Sequence, residues 1–413
     1  MKKRVLATFL LLYGISYSQG MSLNEILERV KTSNPNVVIK KMDTEIINKT
    51  KDKALKNYIL PPVKLSDSDY WENVKRYGVG AKSINVSMDV FEGGKSVYGY
   101  KILKSQVAIA ENEETLAELR AQEQAVAAYF SILNSQKQSE ITDRTIELLK
   151  KQKERNFDLY NSGKLVPKSE YLKIEADIEN NRVLNMENYC EEENSHGILA
   201  RLLGYPLEDK LDLSDFDPEE YLKEKAEVEK NTDKKVEDTI LAKNEKHRVD
   251  IAKNSINLAK ADLYPSINVE YKHKFWETDE DTKVRRKVDE DRVSIGFKWV
   301  FEWGGTLDNI DSKKLAYEQA QIKYDDEIKK ISLDIRNQLN RIKTLYGQSL
   351  VMKKRMELLK ETSDIDGMRY ENELLSTFDY LNSVNKYRAA QENYYTIQRD
   401  LVLAIIKYEN LYR

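Results

Sequence analysis

From Tyr100 to Ser162 the chain runs without one glycine or proline. Those are the two residues that break helices, and the stretch is filled with Leu, Ala, Glu and Lys, which favour them. At about 1.5 Å per residue, one helix of this length approaches ~90 Å. Ordinary globular helices are far shorter, so such a helix needs equally long partners. The second half supplies the signature of that partnership. Ile328, Ile331, Ile335, Leu339 and Ile342 follow one another at spacings of three and four, the seam of a coiled coil. Tyr394, Ile397, Leu401, Ile405 and Tyr408 repeat the rhythm.

The chain is written twice. Phe91 and Phe301 lie 210 residues apart, and so do Tyr160 and Tyr370. Each copy reads helix, strand, strand, long helix, turn, helix. The leading helices are Leu23 to Lys56, interrupted at Asn34-Pro35, and Val236 to Asp262. Each runs into a proline-marked strand start, "YILPPVKL" and "LYPSINVEYKHKF". In the latter, Ile267, Val269, Tyr271 and Phe275 share a face, with His273 its polar exception. In the former, Val63 and Leu65 alternate before "SDSD" ends the pattern. The charge-dense "WETDEDTKVRRKVDED", Trp276 to Asp291, reads as a polar loop. It leads into "VSIGFKWVFEWGG", in which Val293, Ile295, Phe297, Trp299 and Phe301 form one apolar face. The matching strand of the first copy is "SINVSMDVFEGG". Both end in paired glycines, Gly93-Gly94 and Gly304-Gly305, expected as strand-to-helix corners. The domain reading is a first repeat over 19–204, with strands at about 58–92, and a second over 236–413, with strands at about 264–303. An acidic connecting segment, 205–235, joins them.

The N-terminus carries its own message. Met1-Lys2-Lys3-Arg4 is a short positive region, "VLATFLLLYGI" is apolar, and Ser16 and Ser18 are small. This predicts a signal peptide over 1–18. No cysteine follows the cut, so no lipid anchor is expected there. Cys190 is the sole cysteine, which leaves no internal disulfide for an oxidising compartment. No run of 18 apolar residues follows the signal, so any membrane crossing falls to strands.

The charge is nearly balanced at −3, and no basic stripe suggests nucleic acid. His196, His247 and His273 fit no metal-ligand spacing. No nucleophile elbow, phosphate loop or dinucleotide fingerprint occurs. The expectation is a protein without cofactor, metal or catalysis.

Four strands per chain are too few to close a membrane barrel, whose smallest examples have eight. Three copies would give twelve, an even number without open edges. The apolar face would meet lipid, while Lys298, Ser294, Gly296, Lys272 and Glu270 would line water. A soluble sheet with one face on a core is the other reading of the alternation.

At this point the chain resembles the outer-membrane factors of the TolC type. The resemblance rests on "SLNEILERVKTSNPNV", "AKADLYPSINVEY", "VSIGFKWVFEWGG" and "YENELLSTFDYLNSVNKYRAAQENYYTIQRDLVLAIIKYENLYR", in that order. It implies a mainly α fold with a small β part. In it, a homotrimer forms a twelve-stranded β-barrel in the outer membrane, continuing into a long α-helical coiled-coil barrel in the periplasm. It implies a passive exit duct of tripartite efflux or type I secretion, working with a periplasmic adaptor and an inner-membrane pump. A secreted coiled-coil structural or adaptor protein without a pore is the alternative.

The resemblance also points to the two helix-turn-helix turns as adaptor contacts. Its pattern there is Tyr-x-x-Gly followed by an apolar residue. The first turn offers Tyr160, Gly163 and Leu165, with Lys164 inserted. The second offers Tyr370 and Leu374, with Glu373 in place of the glycine. Acids just past the second turn face the pore axis in the family. Asp379 matches the first and Asn382 occupies the place of the second. Asp379 also suits a helix N-cap or first-turn acid, and both roles stay open. Glu170, at the matching place of the first copy, is expected to make contacts between helices.

Overall fold

The computed structural model describes residues 20–67, 70–72, 75–77, 81–163, 167–214, 235–278, 285–372 and 374–412. The expected signal peptide lies outside them. The elements in chain order are α1 (Leu23–Ser33), α2 (Pro35–Ile59), β1 (Val63–Asp67), β2 (Tyr70–Glu72), β3 (Lys75–Tyr77) and β4 (Ala81–Phe91). Then come α3 (Lys95–Gly163), α4 (Lys168–Leu203), α5 (Ile240–Lys260), β5 (Ser266–Thr278), β6 (Arg285–Lys298), α6 (Gly305–Glu371) and α7 (Thr377–Leu411). The breaker-free run forms a single helix of 69 residues, and its counterpart α6 has 67.

Local chemistry sets the boundaries. Ser22 opens α1 with a capping box: its side chain accepts from the Glu25 backbone N–H while the Glu25 carboxylate accepts from its own. At Asn34 the helix stops. The Asn34 side-chain oxygen accepts from the backbone N–H groups of Asn36 and Val37, at 2.9 and 3.4 Å. Pro35 then takes the first position of α2, where its missing N–H costs nothing. Gly204 ends α4 in the left-handed conformation, φ 74°.

The chain forms two compact units, and neither is a repeat. One comprises Met1–Ile39, Leu116–Lys234 and Leu333–Arg413; the other comprises Lys40–Thr115 and Lys235–Ser332. Each draws on both halves of the sequence. The first is helical. Its main core joins Ile26 and Val30 of α1, Val126, Tyr129 and Ile132 of α3, Leu199 and Leu203 of α4, and Val402 of α7. The start of the acidic connecting segment packs on this core through Leu211 and Leu213, and the Tyr129 hydroxyl donates to the Ser214 carbonyl at 2.7 Å. The rest of that segment, 215–234, lies outside the described residues.

The second unit carries the sheet. Its order is β1-β4-β5-β6, antiparallel throughout, while β2 and β3 pair separately as a small ribbon. The first strand is short: α2 continues to Ile59, and pairing begins at Val63 after Pro61-Pro62. The polar loop expected over Trp276 to Asp291 is largely strand instead. β5 runs on to Thr278 and β6 begins at Arg285. Charges of opposite sign satisfy one another across this extension. Lys274 Nζ and Arg286 Nη2 reach the Glu277 carboxylate at 2.7 and 3.3 Å. A charged strand stays in a ladder when its neighbours neutralise it.

Candidate functional site

Pairing fixes which side chains share a face, because residues opposite one another in a ladder point the same way. Val63, Val86, Tyr271 and Val293 form one row across the four strands. Met88, Val269 and Ile295 form the next, and Phe91, Ile267 and Phe297 a third. The result is one continuous apolar face. It is not a covered core face: Val63, Leu65, Val293 and Phe297 are exposed, and Ile295 is 75% exposed. The opposite face is polar. Ser66 and Ser83 hydroxyls meet at 3.0 Å, and Asn85 Nδ2 donates to the Glu270 carboxylate at 2.7 Å.

His273 stays on the apolar face, as its alternation requires. Its ring Nδ1 lies 2.9 Å from the Asp291 carboxylate, which also accepts from the Tyr271 hydroxyl at 2.6 Å. Phe275 drops out of register with both neighbouring strands, where Asp289 takes a left-handed φ of 48°. Bulges of this kind bend and twist a strand.

The β6 strand ends at Lys298. Trp299 and Phe301, expected within it, lie beyond the ladder. Both are exposed, and Phe301 lies edge-on to Trp303, itself 96% exposed, at 5.6 Å. Trp303 continues the spacing of two from Val293 to Phe301, but it stands beside the paired glycines, where sequence reading ended the strand.

The corner glycines divide. Gly93, Gly94 and Gly304 have φ of 63°, 89° and 101°, conformations open to glycine at no steric cost. A Cβ on Gly93 would also lie 2.6 Å from the Ala261 carbonyl oxygen. Gly305 is simply the first residue of α6, so it is no corner.

In the helical unit, the two turns differ. At the α3–α4 turn, Tyr160 packs a tilted ring on Tyr171 at 5.7 Å, and Gly163 closes α3. Leu165 lies outside the described residues, as does Glu373 at the second turn. Tyr370 is only 6% exposed. Its ring stacks on Tyr380 at 5.0 Å, and its hydroxyl donates to Asn156 Oδ1 at 3.0 Å. Asn156 in turn donates to the Thr377 hydroxyl at 3.2 Å. Arg155 donates to the Glu371 carbonyl at 3.1 Å. Tyr370 is therefore an internal strut, and the accessible apolar side chains of this turn are Leu374 and Phe378. Asn156 and Thr377 gave no sequence signal, since single polar residues on a helix look like solvated surface.

Ser376 is the N-cap of α7. Its hydroxyl accepts from the Asp379 backbone N–H at 3.1 Å and donates to the Asp379 carboxylate at 2.7 Å. Asp379 is thus the first-turn acid. It is exposed, as is Asn382 one turn on. Glu170 forms an ion pair with Lys173 of its own helix at 3.4 Å. Among the described residues, no group of His, Cys, Asp or Glu is arranged to hold a metal ion, and no helix is long and apolar enough to cross a membrane.

Residues 243–409 match the family model described as outer membrane efflux protein. No curated protein matches by sequence. Among solved structures, the chain is similar to CusC at 13% identity and TM-score 0.78, covering 97% of this chain and 95% of that one. It is also similar to the Campylobacter jejuni CmeC outer membrane channel, at 17% identity and TM-score 0.76, covering 97% and 90%. A third likeness is to the Neisseria gonorrhoeae MtrE outer membrane channel, at 16% identity and TM-score 0.73, covering 94% and 88%. These likenesses establish the fold.

Proposed function

We propose that this chain, which has the fold of outer-membrane channels and carries an outer membrane efflux protein domain over residues 243–409, is the exit duct of a tripartite export system. One observation carries the reading: a four-stranded sheet with a continuous exposed apolar face, whose outer strands β1 and β6 have no further neighbour among the described residues. In lipid, an open edge would leave backbone groups unsatisfied. Joining β6 of one copy to β1 of the next, three times, removes every edge and gives twelve strands. The apolar face then meets acyl chains and the polar face lines water. Trp299, Phe301 and Trp303 suit the aromatic girdle at the membrane surface.

The duct supplies a path and no chemistry. Cargo comes from an inner-membrane pump, efflux or type I secretion, through a periplasmic adaptor. The adaptor docks at the helical turns, where Leu374 and Phe378 offer apolar contact and Tyr160, Gly163 and Tyr370 shape the support. Asp379 and Asn382 from three copies narrow the entrance, and the carboxylates there favour cations.

Fractionation and electrophoresis test the reading. The mature chain is expected in the outer-membrane pellet and, without heating, to migrate as a trimer that boiling converts to monomer. A soluble monomer, stable without detergent, would instead favour a secreted coiled-coil protein without a pore.

A further inference from the structure

The polar face of the sheet carries a feature that its overall composition hides. Lys64, Asn85, Lys272 and Arg292 are consecutive partners across β1, β4, β5 and β6, so they stand in one lateral row. Three of the four are cations. Lys272 and Arg292 are directly opposite each other, an arrangement that costs a sheet stability.

The carboxylates nearby relieve it only at Arg292. Glu270, two residues from Lys272 on the same face, is held by Asn85 at 2.7 Å. Glu277 is engaged by Lys274 and Arg286. Glu290 reaches only Arg292, at 3.5 Å. Elsewhere on the chain, close ion pairs are common. On this row, no ion pair joins Lys64 or Lys272 to any carboxylate among the described residues. Asn85 contributes twice: it interrupts the row without adding charge, and it draws away the acid best placed to neutralise Lys272.

We infer that the row Lys64–Asn85–Lys272–Arg292 is a binding ring for anionic groups of the cargo within the strand-built part of the duct. The inference rests on the trimeric channel reading, in which three-fold symmetry repeats the row around the lumen and brings together six cations, Lys64 and Lys272 of each copy, beside three Arg292 paired with Glu290. Rings of like-charged side chains are a recognised means of selecting ions in pores. The class of cargo favoured here carries clustered negative charge, such as several carboxylates or phosphates.

Single-channel recording on the full mature chain in planar bilayers tests this, with sodium tripolyphosphate added to each side in turn. Tripolyphosphate is expected to block the current at low salt, and raising KCl should relieve the block as the screening length shortens from about 10 Å at 0.1 M to about 3 Å at 1 M. The double variant Lys64→Gln, Lys272→Gln should need about tenfold more tripolyphosphate for equal block, given the strength of charge–charge attraction at contact in water. Lys272→Arg, which keeps the charge, should retain wild-type block. The unheated trimer band shows that each variant is assembled. Equal block in wild type and double variant, or no block from either side of an open pore, overturns the ring while leaving the channel intact. A trimer that never conducts overturns the channel reading, and the ring falls with it.

Discussion

Single residues decide the sharpest changes of direction. Gly93 is constrained twice, by its left-handed φ and by the Ala261 carbonyl that a Cβ would meet at 2.6 Å, whereas Gly304 is constrained by φ alone. An alanine in the left-handed region costs about 1–2 kcal/mol. Thermal melting of the purified protein should therefore show a modest loss for Gly304→Ala and a clearly larger one for Gly93→Ala. Equal losses would mean that the Ala261 approach relaxes freely. His196 offers a second test. It is buried on α4 with no hydrogen-bond partner for Nδ1. Burial holds its pKa below the ordinary imidazole value; Glu192 opposes this and Lys210 adds to it. Protonation thus favours the unfolded chain. Its contribution is present above about pH 6.5, the unfolded imidazole value, and is lost as pH falls. Melting temperatures of wild type and His196→Asn, measured from pH 8 to 5, should diverge in slope below that point. Parallel curves would show that His196 does not carry the effect.

Elements show what a sequence displays and what it conceals. The apolar face of β6 was legible because Val293, Ile295 and Phe297 alternate with small or charged residues. Its prediction is correspondingly specific. Ile295→Arg puts a charge on the lipid side at a cost of about 2–4 kcal/mol near the bilayer midplane. Ser294→Arg, one residue away, faces water and should be nearly neutral. Urea titrations of folding into lipid vesicles would compare them, and equal costs would contradict the assignment of faces. The first seven residues of β6 were not legible. Three basic residues, Val288 and three acidic residues follow one another there, and only pairing with β5 shows them as ladder rather than loop. The bulge at Phe275 and Asp289 was hidden for the same reason, since register belongs to two strands at once. The long helices were legible from their lack of breakers and from their seams. Burial of Ile331, Ile335, Leu401, Ile405 and Tyr408 follows those seams. At the second turn, resemblance marked Tyr370 and Asp379, but only the structure joined Tyr370 to Asn156 and Asp379 to Ser376.

At the scale of the whole molecule, assembly is the governing expectation. Beyond the open sheet edges, α6 exposes Val351, Leu358 and Ile365 at successive heptad positions, a stripe suited to a neighbouring helix. Replacing Leu358 and Ile365 together by Glu should convert the unheated trimer band to monomer while circular dichroism retains the helical signal. An unchanged trimer would move the interface elsewhere. The compact units hold a further consequence. The β4–β5 pairing joins the two copies within the sheet, as the Tyr370–Asn156 hydrogen bond and Val402 do among the helices, and both units take chain from each copy. A polypeptide stopping after the first copy would own only β1 and β4 of the four-stranded sheet, and a main helical core lacking Val402. The two copies are thus no longer equivalent: the main helical core lies almost wholly in the first, while the sheet is complete only when strands from both are present.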